Sequence, residues 1–80
     1  MVNKSLRPLN TIAADISADW KKVNFAAAPY LSAMRTLRGI NENYGYDSGQ
    51  SVVRYFLANA GTWRGEKARE IKTELKGMLK

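Results

Sequence analysis

The sequence holds no cysteine and no histidine. Without cysteine there is no disulfide and no thiolate nucleophile, and without histidine the usual zinc sites lose their ligands. The same two absences exclude Ser-His and Cys-His nucleophile pairs and acid–base work by an imidazole. No run approaches the roughly eighteen apolar residues of a membrane-crossing helix. The stretch from Met1 to Pro8 also lacks the apolar centre of a signal peptide. No membrane contact is expected, the cytoplasm is the expected address, and the glycosylation-like triplet Asn3-Lys4-Ser5 carries no meaning there.

What is present suits one small domain. Eighty residues, 45% of them hydrophobic, lie near the lower limit for a core that holds together without staples. The formal charge is +6. Residues 1–40 hold six cations against two carboxylates, residues 41–63 one against two, and residues 64–80 six against three. Such a balance suits acidic protein surfaces or polyanions, and it also serves solubility alone.

Hydrophobic spacing predicts four helices and no strands: an all-α fold, a compact bundle with helices at about residues 9–22, 27–38, 49–60 and 63–79. Residues 1–7 read as a flexible arm and 8–80 as a single helical domain. In the first helix Ile12, Ala13, Ile16, Trp20 and Val23 share one side, with Asn10 or Thr11 expected as the cap. In the second, Pro29 fits the first turn, and Ala27, Tyr30, Leu31, Met34 and Leu37 form the apolar stripe. Ile40 to Gly49 is the longest turn-like stretch, and Asp47 or Ser48 is placed to cap the third helix. Val52, Val53, Phe56, Leu57 and Ala60 are the core face of that helix. Thr62 is the expected cap of the fourth, whose stripe is Ala68, Ile71, Leu75, Met78 and Leu79.

Two motifs come close to known chemistry and fail. Gly61 to Lys67 resembles a phosphate loop but is one residue short, carries Glu66 before the lysine, and has no strand ahead of it. Asn41 to Asp47 alternates oxygen ligands like a calcium loop, but Tyr46 stands where glycine is required and Val52 where glutamate is. A helix-turn-helix centred on Gly61 meets Lys67 where an apolar residue is needed. Glu66, Glu70 and Glu74 recur along one ridge as solvated charge rather than as a facing catalytic pair. No catalytic residue, metal site or cofactor is therefore expected, and the chain reads as a non-enzyme.

Two surface features remain. Tyr44, Tyr46, Asp47, Arg54, Tyr55, Trp63 and Arg64 make a candidate polar-aromatic interaction patch, although Trp63 also fits a buried staple over the start of the last helix. Arg69, Lys72, Lys76 and Lys80 align as a basic ridge suited to phosphates. Taken together, Asp19-Trp20 through Met34, Tyr44 through Gly49, and Tyr55 through Arg69 resemble short bacterial proteins associated with mobile elements or phage-like regions. That group has no established activity, so the resemblance implies a bacterial accessory role and assigns no residue a function. The expectation is a helical binding or accessory module acting on a protein partner or a second copy of itself. The alternative is a nucleic-acid-associated protein using the basic ridge.

Overall fold

A computed structural model describes residues 7–79. Four helices form: α1 (Leu9–Asp19), α2 (Ala28–Met34), α3 (Gly49–Ala58) and α4 (Glu66–Met78). They make up 56% of the described residues. Between α2 and α3 lies a two-stranded antiparallel hairpin, β1 (Asn43–Tyr44) and β2 (Asp47–Ser48), with Asn43 opposite Ser48 and Tyr44 opposite Asp47. The fold is mostly helical rather than purely α. Positive φ in the turn is confined to Gly45, at +63°. That is the arrangement of a II′ turn, which glycine at the first central position permits.

The helical faces are those the spacing predicts. Ile12, Ala13, Ile16 and Trp20 from the first segment, Val52, Val53, Phe56 and Ala60 from the third, and Ala68, Ile71 and Leu75 from the fourth are all buried. Ala27, Leu31, Met34 and Leu37 complete the core, joined by Leu9 and Ala33. Val23, Tyr30, Leu57, Met78 and Leu79 are half-buried against it. α3 packs chiefly on α2, while α1 bridges α2 and α4. The Cα radius of gyration, 11.5 Å, matches the roughly 11–12 Å of a close-packed chain of this size.

Every helix is shorter than its periodicity suggests, and local chemistry explains each end. α1 stops where Trp20 takes extended backbone (φ −95°, ψ 90°) and turns inward. Its start precedes both expected caps: Pro8 is the cap residue, its carbonyl accepting from the amides of Thr11 and Ile12. After Met34 the amides of Thr36 and Leu37 bond three residues back, and the Thr36 hydroxyl donates to the Ala33 carbonyl at 2.8 Å. These tighter, competing bonds end α2. The Asn59 side chain closes α3 by donating to the Tyr55 carbonyl at 2.9 Å. Ser48 caps α3 as expected, accepting from the Ser51 amide at 3.1 Å. Thr62 caps nothing, since Trp63 lies in the loop and α4 begins after Gly65.

Arg7 belongs to the fold, not to a loose arm. Its guanidinium donates through Nε and Nη2 to both Glu74 oxygens (2.9 and 2.8 Å) and through Nη1 to Asp15 (2.7 Å). It is a fork–fork pair tying the chain before α1 to α4. The remaining residues of the expected arm, 1–6, lie outside the described chain.

Candidate functional site

The aromatic residues separate into an inner and an outer set. Trp20 stacks on Trp63 with ring centroids 5.7 Å apart and planes 12° apart. Phe56 meets both edge-on, at 6.1 Å from Trp20 and 6.3 Å from Trp63. Such pairs add about 0.5–1.5 kcal/mol each beyond area burial. Trp63 is only 2% exposed, and its indole N–H donates to Asp19 at 2.8 Å. This corrects the patch proposed for it. A large ring with one donor is more stable inside, once a carboxylate at the end of α1 accepts its hydrogen bond.

The outer set faces solvent. Tyr46 at the hairpin tip is fully exposed and Tyr44 is half-exposed, while Tyr55 on α3 lies against Tyr30 of α2 with centroids 5.3 Å apart. Phe25 is 91% exposed, in the loop between α1 and α2. Asn24 ties that loop to the end of α3: its Nδ2 donates to the Asn59 carbonyl at 3.3 Å, and its Oδ1 accepts from the Ala26 amide at 2.9 Å. Aromatic rings thus mark both ends of the α2–α3 layer, the hairpin beside the start of α3 and Phe25 beside its end.

Of the predicted patch, Tyr44, Tyr46, Asp47, Arg54, Tyr55 and Arg64 are exposed. Tyr44, Tyr46 and Asp47 sit on the hairpin, Arg54 and Tyr55 on the outer face of α3, and Arg64 in the loop before α4. Phe25 and Tyr30 were not anticipated as part of this surface. Phe25 falls on no helical stripe, which is the only sign the sequence offers. Tyr30 reads as core by its spacing, and only packing shows it at the margin.

Of the basic ridge, Lys72 is turned inward. The Lys72 ammonium donates to the carbonyls of Ala60 (2.8 Å) and Trp63 (2.7 Å) and lies 5.7 Å from the Trp63 ring centre. It closes the loop between α3 and α4 instead of facing a ligand. Burial, assisted by the like charges of Lys76 and Arg64, holds its pKa below the ordinary lysine value. Arg69 and Lys76 are exposed, beside the equally exposed Glu66 and Glu70, and Lys80 lies outside the described residues. The acidic ridge changes too, because Glu74 is bound to Arg7.

Asp15 and Glu74 approach from different helices, but Arg7 stands between them. It is held more firmly protonated by its hydrogen bonds to Glu74 first and Asp15 second. Among the described residues no three Asp or Glu side chains gather as metal ligands, and no helix is long and apolar enough to cross a membrane. Comparison of the chain with protein-family models, curated proteins and solved structures yields no match.

Proposed function

We propose that the chain is a non-enzymatic binding module that docks another protein on the outer aromatic surface of its α2–α3 layer. One observation carries this reading: Phe25, Tyr44, Tyr46 and Tyr55 are large apolar side chains left in solvent, although inner rings of the same chain are fully packed. Exposed aromatic residues flanked by arginine are the usual composition of protein interfaces. Arg54 on α3 and Arg64 in the loop before α4 accompany these rings, with Glu42 and Asp47 at the hairpin.

Site-specific photo-crosslinking tests it. A photoreactive phenylalanine analogue replaces Tyr46, Tyr55 or Thr73 in the full chain, and the cells that make the protein are irradiated. Discrete protein adducts are expected at the first two positions and none at Thr73, which is exposed on α4. Equal labelling at all three, or none at Tyr46 and Tyr55, would overturn the reading.

A further inference from the structure

A concave feature lies across α2 from the Tyr30–Tyr55 pair. Between α1 and α2 there is a cleft of about 310 Å³, at the lower end of the range of small-molecule sites. Its lining is mixed: Val23, Ala28 and the narrow accessible edges of Leu31 and Trp20 supply an apolar strip, and Ser17, Ser32, Lys21 and Arg35 supply the larger polar part. Its mouth is cationic. Lys21 and Arg35 line it, no carboxylate does, and both belong to an acid-free stretch of chain from Trp20 to Asn41. Arg35 reaches across from the end of α2, and its Nη2 donates to the Ser17 hydroxyl on α1 at 2.7 Å. A guanidinium carries five donors, so this bond fixes the fork over the cleft while leaving most donors free for a ligand.

From this juxtaposition we infer that the α1–α2 cleft binds a small amphipathic anion, its apolar body against Trp20 and Leu31 and its oxyanion on Arg35 and Lys21. Both halves are needed. A bare anion on exposed cations is screened by salt and held weakly. An uncharged apolar molecule gains only from the modest apolar strip. Arg35 suits the head group because its planar fork matches a carboxylate or phosphate, which an ammonium cannot do.

The cleft is separate from the docking surface, so either can fail without the other. Amide and indole NMR spectra of the full chain decide the matter, using sodium hexanoate as probe with hexan-1-ol and sodium acetate as its two halves. Hexanoate is expected to shift the Trp20 indole N–H and the Lys21 and Arg35 amides saturably, and to bind more tightly than either half. Arg35→Gln should weaken it about tenfold or more, the loss expected when a hydrogen bond to a charged group is removed. Ala28→Leu, which fills the cleft from an exposed position on α2, should abolish the shifts without lowering the melting temperature. Hexanol or acetate binding as well as hexanoate, unsaturable shifts spread over the chain, or an Ala28→Leu variant that binds like the wild type would each overturn the assignment.

Discussion

Trp63 shows how much a single polar atom decides. Its ring is buried, and its N–H has one acceptor, Asp19. Asp19→Ala orphans a buried donor and should cost about 1–3 kcal/mol. Asp19→Asn, which keeps an acceptor oxygen, should recover most of that loss in urea unfolding. Equal stability of wild type and Asp19→Ala would mean the indole N–H finds water. Arg7 makes a parallel case. Arg7→Ala strips Glu74 of its partner and should cost about 1–2 kcal/mol, given the partial exposure of the pair. Arg7→Lys should restore only part, because an ammonium lacks the fork; full restoration would show that charge alone matters. Neither contact was legible in the sequence. Asp19 and Trp63 are 44 residues apart and Arg7 and Glu74 are 67, and nothing local marks side chains that meet only after the helices pack.

At the level of elements, burial was the readable part. The stripes of α1, α3 and α4 were evident because an apolar side repeated at helical period leaves a mark in every turn. The helix ends were less so, since side-chain hydrogen bonds from Thr36 and Asn59 set them. The hairpin left no periodic signal at all, because two-residue strands are shorter than any repeat. Its join to α3 rests on Gly49. A Cβ there would stand 2.8 Å from both the Cα and the carbonyl oxygen of Ile40, and 2.9 Å from the Gly39 carbonyl oxygen. All three are backbone atoms, so no side chain can swing aside. Alanine in place of glycine in a helix normally gains up to about 1 kcal/mol. At this position Gly49→Ala should instead destabilise by about 1–3 kcal/mol, the usual cost of overpacking. A raised melting temperature would show that the Gly39–Ile40 backbone yields easily.

The whole molecule divides its aromatic residues by job. Trp20, Phe56 and Trp63 form the centre that holds α1, α3 and the loop before α4 together, whereas Phe25, Tyr44, Tyr46 and Tyr55 remain outside. The sequence pointed to Tyr44, Tyr46 and Tyr55 through their turn and outer-face positions. It could not separate Trp63 from them, since a bulky ring beside a glycine-bounded turn serves either purpose. The central claim is that the most exposed outer rings, Phe25 and Tyr46, are kept for contact with a partner and contribute little to folding. Thermal unfolding of Phe25→Ser/Tyr46→Ser tests it most directly. A domain of this size loses about 4–8 °C of melting temperature per kcal/mol. The account predicts a cooperative transition within about 4 °C of the wild type. A fall of roughly 10 °C or more, equivalent to a core substitution, would place these rings in the fold and contradict it.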